Sequence, residues 1–281
     1  MDSSPSLEWS SVEGVSRLTK NGSDVLVVIP TLGERLPMLE RALGSVTAGS
    51  SGVVAHPVVV IPRREKAARR VAIEAGAAIV DDPGKGMSAA INAGLEARST
   101  EPYYLWLGDD DFLEPGGLAA LVRLLEANTE ATVAYGACRY VDEDNNQVWI
   151  SRAGPLATLM LGFGPNLIPH PAALMRLDEL VAVGAYDEQL KLAMDLDVFL
   201  KLKKKGKFVS TREVVSCFGW HPTSLTVQDR QASLQEARVV KRKHLSPGLR
   251  RLEPLWEHPV QAMTRVAAHF LSQRRPNESS H

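Results

Sequence analysis

The chain has 281 residues, 44% of them hydrophobic and 23% charged, with a formal net charge of -1. This is the composition of an ordinary globular protein with enough apolar material for a sizeable core, and it excludes disordered and fibrous classes. A net charge so close to zero provides no global field to draw the chain onto nucleic acid, so any site for an anionic partner must be local. The two cysteines, Cys138 and Cys217, are far apart and lack metal-ligand spacing, which fits free thiols in a reducing cytoplasm. Met1 to Asp24 is polar, without the apolar core of a secretion signal, and no run of about 18 apolar residues offers a membrane span. The expected location is cytoplasmic.

Residues 1–23 read as a flexible, serine-rich lead-in. Val25-Leu26-Val27-Val28-Ile29 is an unbroken apolar run, the pattern of a strand buried on both faces, and Pro30 stops it. Leu36, Leu39, Leu43 and Val46 then recur at helical spacing, completing a βα unit. Val58 to Ile61 with Glu65 to Ala75 repeats the unit, and Gly76 ends it. Ala78-Ile79-Val80 is a third strand, leading through Asp81-Asp82-Pro83-Gly84-Lys85-Gly86 to a helix that starts at Met87. Gly84, Lys85 and Gly86 are either a flexible turn or a loop whose N–H groups and lysine approach a phosphate. Tyr103 to Leu107 is a fourth strand, and Pro115 opens a helix over Gly117 to Glu126. The βα alternation over residues 24–130 predicts a Rossmann-like, doubly wound, mostly parallel sheet.

The fourth strand runs straight into Asp109-Asp110-Asp111. Three adjacent like charges persist either as a solvated turn or where a cation neutralises them. Ligands of open α/β sheets bind at the carboxyl ends of strands, and oxygen-only clusters suit a hard cation, Mg²⁺ or Mn²⁺, on a diphosphate.

Residues 131–228 read as a β-containing second half that carries acceptor contacts. Its strand candidates are Val133 to Tyr135, Arg139 to Val141, Val148 to Ile150, Ala172 to Met175 and Phe208 to Val215. Gly162 to Asn166 and Pro169-His170-Pro171 read as loops lining a cleft. Leu177 to Val183 is helical, and Leu196, Phe199, Leu200 and Leu202 mark another helix with Asp195 and Asp197 at its start. Either aspartate is a helix cap or a functional carboxylate. Residues 229–281 form a basic helical segment that packs on its own domain, on a partner subunit as a homodimer, or on anionic lipid at the inner face of the membrane.

Val28-Ile29-Pro30-Thr31, the helix start from Gly86 to Gly94, Leu107 to Gly116, and His170 through Leu200 together resemble the family 2 glycosyltransferases of the GT-A fold. The resemblance implies inverting transfer from a nucleotide sugar (UDP-, dTDP- or GDP-linked) to a saccharide, lipid-linked or small-molecule acceptor, with Asp195 as base. It places Pro30, Thr31 and Glu34 near the nucleoside, and Lys85 and Asn92 near the nucleotide or its phosphates. Asp109 falls at the ribose or the metal, with Asp110 also at the nucleotide. The metal pair is read as Asp110 with Asp111 or as Asp109 with Asp111, because Gly108 stands where the family commonly has aspartate. His221 is either a further metal ligand or a hydrogen-bonded loop histidine. The rivals are a nucleotidyltransferase, against which the glycine-poor turn Thr31 to Leu36 counts, and a catalytically silent sugar-nucleotide-binding protein.

Overall fold

The computed structural model describes residues 24–48, 51–152, 154–220 and 230–252. Three βα units come first: β1 (Asp24–Pro30) with α1 (Leu36–Ala48), β2 (Val54–Ile61) with α2 (Lys66–Glu74), and β3 (Ala78–Asp81) with α3 (Met87–Leu95). With β4 (Tyr103–Trp106) they form an all-parallel half-sheet in the order β3-β2-β1-β4. Val25 to Ile29 are all fully buried because helices cover both faces. Leu26 and Val28 pack with Ile91 of α3, whereas Val25, Val27 and Ile29 pack with Leu39 and Leu43 of α1. The period of two thus divides one strand between two cores.

Next come β5 (Phe112–Leu113), α4 (Gly117–Glu126), β6 (Ala131–Val141), β7 (Gln147–Ser151) and α5 (Pro155–Met160). A 3-10 turn, His170–Ala172, leads into β8 (Ala173–Arg176), followed by α6 (Leu177–Ala182), α7 (Met194–Lys203) and β9 (Lys207–Gly219). Finally α8 (Arg230–His244) and α9 (Pro247–Leu252) follow. The sheet continues from β4 as β8-β6-β9-β5, with β7 also paired to β6. Here it is mixed: β8 runs antiparallel to both β4 and β6, whereas β6 and β9 are parallel.

One expectation needs correction. Val133 to Tyr135 and Arg139 to Val141 belong to one strand, β6, rather than two. The intervening Gly136, a residue of low β-propensity, is there because a Cβ would stand 2.6 Å from the Val215 side chain of β9, so the close strand contact requires glycine. The short elements β5 and α5 were not anticipated, as two or six residues leave too little periodicity to read. α8 docks on its own domain through Lys243 and His244, both of which contact Asp197 of α7. Among the described residues no helix is long and apolar enough to cross a membrane.

Candidate active site

Parallel pairing of β1 with β4 sets Val28 opposite Trp106, so the turns leaving both strands emerge side by side. Thr31, held by its N–H to the Val60 carbonyl (2.9 Å), donates its hydroxyl to Asp109 Oδ2 at 2.6 Å. Gly33 then turns the chain at φ +80°, where a Cβ would come within 2.9 Å of Glu65, and its N–H bonds Thr31 Oγ1. That tight turn delivers Arg35, whose guanidinium donates to Asp109 Oδ1 (2.6 Å) and Asp110 Oδ2 (3.0 Å). From α1, Arg41 donates to the Asp110 carbonyl at 2.9 Å.

Asp111 points the other way. Its Oδ1 accepts the Gly219 N–H (3.0 Å), and its Oδ2 accepts from Gly108 N (3.2 Å) and His170 Nε2 (3.1 Å). Both glycines are dictated by space: a Cβ on Gly108 would lie 2.7 Å from carboxylate oxygens of Asp110 and Asp111, and one on Gly219 would lie 2.8 Å from the Asp110 carbonyl. The His170 ring stacks on Trp106 with centroids 3.9 Å apart and planes 21° apart. From His170 a series of ring contacts runs through Phe218 and Tyr140 to Trp149 on β7, at centroid distances of 5.7, 5.1 and 4.3 Å.

Asp195 stands at the start of α7, half-buried. Its Oδ2 accepts from Asn166 Nδ2 (2.8 Å) and its Oδ1 from the Leu196 N–H (2.7 Å). Burial pushes its carboxyl above the usual range, while the His170 charge and these hydrogen bonds pull it back. Burial likewise raises Asp109, opposed by Thr31 and Arg35, and raises Asp111 with help from Asp110, opposed by His170. Asp197, two residues on, is fully buried and serves another purpose: Lys201 Nζ and His244 Nε2 reach it at 2.8 Å each.

The remaining expected residues divide. Pro30 ends β1, buried beside the acidic turn. Asn92 is occupied elsewhere: its amide accepts from Tyr186 N (3.1 Å) and donates to Tyr186 O (2.9 Å), bracing the chain that leads to α7. Glu34 and Lys85 are exposed, and Lys85 sits in a turn set by the Gly84 N–H to Asp82 Oδ1 bond (2.9 Å). His221 lies outside the described residues. Arg35, Asn166 and His170 were not singled out from sequence. The cleft-lining loops Gly162 to Asn166 and Pro169-His170-Pro171, and an arginine just past the Gly33 turn, hinted at them without assigning a role.

Among the described residues no group of three or more His, Cys, Asp or Glu side chains is arranged to hold a metal ion. Asp109 and Asp111, read from sequence as a ligand pair, have 7% and 2% exposed side chains with every oxygen hydrogen-bonded within the protein. Asp110 is the accessible one at 19%. If the site takes a divalent cation, Asp110 is the carboxylate of the turn that is open to it.

The profile of the family described as glycosyl transferase family 2 matches residues 26–179. Among solved structures, S. aureus TarS is similar over 77% of this chain and 39% of its own, at 14% identity and a TM-score of 0.56. TarS 1-349 in complex with UDP-GlcNAc matches 81% of this chain and 69% of its own, at 13% identity and a TM-score of 0.57. The same fragment in complex with UDP matches at 14% identity and a TM-score of 0.52, over 81% and 71%. This chain therefore spans under half of that TarS chain. No curated protein matches significantly. At such identities the structural likeness establishes the fold alone, and that fold is the GT-A arrangement expected from sequence. The family profile covers more than half of the chain, and on that ground the protein belongs to glycosyl transferase family 2.

Proposed function

We propose that the protein transfers a sugar from a nucleoside-diphosphate donor to an acceptor hydroxyl in one displacement, with inversion and with Asp195 as general base. The observation that carries this reading is Asp195 itself: a half-buried carboxylate, raised by burial, fixed by Asn166, and electrostatically coupled to the His170 that binds the acidic turn. A base is most effective when its pKa approaches the operating pH, and burial moves Asp195 in that direction. The acceptor oxygen attacks the anomeric carbon as its proton passes to Asp195, and the bond to the diphosphate breaks. Asp110 is the residue that would hold a Mg²⁺ or Mn²⁺ ion, which supplies positive charge against the departing diphosphate when bound. Thr31 and Arg35 fix Asp109 so that the turn is rigid before the donor arrives.

A UDP-linked donor is favoured, since the similar TarS fragment is solved with UDP-GlcNAc and with UDP. The acceptor approaches along the ring series that ends at Trp149, 37% exposed, where an aromatic face suits the apolar side of a saccharide. Thermal melting with UDP-, dTDP- and GDP-sugars in Mn²⁺ tests the donor class. A sugar nucleotide at a hundred times its Kd stabilises the native state by about 2.7 kcal/mol. Stabilisation by nucleoside triphosphates alone, with no effect of any sugar nucleotide, would favour the nucleotidyltransferase instead.

A further inference from the structure

We propose that Arg35 occupies the cation position of the acidic turn in the nucleotide-free protein, competes with a divalent metal for Asp110, and transfers its guanidinium to the donor diphosphate when the nucleotide binds. The inference rests on the nucleotide-sugar reading for its second half only; the competition at Asp110 stands on the geometry alone.

Three consecutive carboxylates need neutralising charge nearby. His170 and two backbone N–H groups satisfy Asp111, facing inward. Arg35 neutralises the outer pair, with one terminal nitrogen on Asp109 and the other on Asp110. It does so from the solvent side: its side chain is 39% exposed, against 7% for Asp109 and 19% for Asp110. A metal approaching Asp110 from solvent thus meets an arginine already bonded to Oδ2, and two cations on one carboxylate repel.

The same geometry makes the arginine useful once displaced. Its planar fork of N–H donors matches phosphate oxygens two at a time, which an ammonium cannot do. The turn carrying it is fixed by Gly33 and by Thr31, so the side chain moves while its backbone stays. Asp109 keeps its Thr31 hydrogen bond when Arg35 leaves, so the buried carboxylate is not orphaned. Metal and arginine therefore exclude one another on Asp110 in the empty site and act on the same diphosphate in the loaded one. Metal binding in the nucleotide-free protein is weak for this reason, and nucleotide is what makes room for it.

Calorimetry with Mn²⁺ alone, and with UDP in EDTA, tests both halves on the full chain. Relative to wild type, Arg35→Ala and the polar, uncharged Arg35→Gln should bind Mn²⁺ about tenfold more tightly without nucleotide, and UDP about tenfold more weakly in EDTA. Arg35→Lys, which retains charge without the fork, should keep Mn²⁺ binding near wild type yet lose most of the UDP affinity. Unchanged or weaker Mn²⁺ binding in folded Arg35→Gln would overturn the competition, and unchanged UDP binding would overturn the transfer to diphosphate. Wild-type protein that binds no UDP under any condition sinks the donor assignment and the diphosphate half, and the Mn²⁺ arm still decides the competition.

Discussion

Replacing Asp197 with alanine should destabilise the protein strongly while leaving the acidic turn untouched. The carboxylate is fully buried, with Lys201 Nζ and His244 Nε2 at 2.8 Å and Lys243 Nζ at 3.6 Å. Lys201 and His244 expose 19% and 9% of their side chains, so the ammonium would be left in a low-dielectric setting without a counter-charge and the imidazole Nε2 without its partner. Removing one member of such a buried group costs about 3–5 kcal/mol. Lys243, 54% exposed, adds little to that sum because solvent screens it. Lys201 also donates to the Ala185 carbonyl at 3.0 Å and retains that bond, which argues for the lower end, about 3 kcal/mol. At about 2–4 °C per kcal/mol for a chain of this size, the melting temperature should fall by about 6–12 °C. The pH dependence follows from the direction of the shift. Burial alone would raise the Asp197 pKa, but His244 and Lys201 outweigh it and hold the group well below the usual carboxylate range. Its contribution is therefore complete above the unfolded value of about 3.9 and is lost as pH falls through the folded one. The gap between wild type and Asp197→Ala, followed by circular dichroism, should stay open from neutral pH to about pH 5 and close in stronger acid. A variant within about 0.5 kcal/mol of wild type at pH 7 would refute the buried ion-pair account.

Asp110→Ala and Asp111→Ala should separate two roles that the bare triplet conceals. The first should weaken Mn²⁺ binding in the presence of UDP with little change in melting temperature; the second strands His170 and two buried N–H groups, and should lower stability by about 1–3 kcal/mol. Trp149→Ala should raise the acceptor KM several-fold and leave donor Kd alone, read by steady-state kinetics beside calorimetry; an unchanged KM would remove Trp149 from the acceptor path.

The first half of the fold was legible because its central strand, β1, is buried on both faces. Val25 to Ile29 reads as an apolar run for the same reason that the run is fully buried, and the helix after the second strand carries its own stop at Gly76. The second half was harder because its register depends on distant partners: Gly136 looks like a break until Val215 is seen against it. The site shows the same division. Asp109 to Asp111 and Asp195 stand out by residue type and place in the chain, yet no local rule tells which aspartate faces inward. That choice is made by Gly219, 108 positions after Asp111, and by His170. Asn92, placed by the resemblance near the nucleotide or its phosphates, bonds the backbone of Tyr186, a contact across 94 positions that no local rule announces.

The most direct test is Asp195→Asn, with turnover followed as nucleoside diphosphate release and donor affinity measured separately. Asparagine keeps the size of the side chain and one acceptor oxygen, enough for the Leu196 N–H but not for Asn166 as well, so melting temperature should fall only slightly and donor Kd should stay near wild type. If Asp195 takes the acceptor proton, kcat should fall by about 10² to 10⁴-fold. The wild-type acid limb of kcat should also lie above the usual carboxylate range near 3.9, because burial raises this group. Full turnover in Asp195→Asn, with donor binding intact, would contradict the assignment of the base and with it the mechanism proposed for this site.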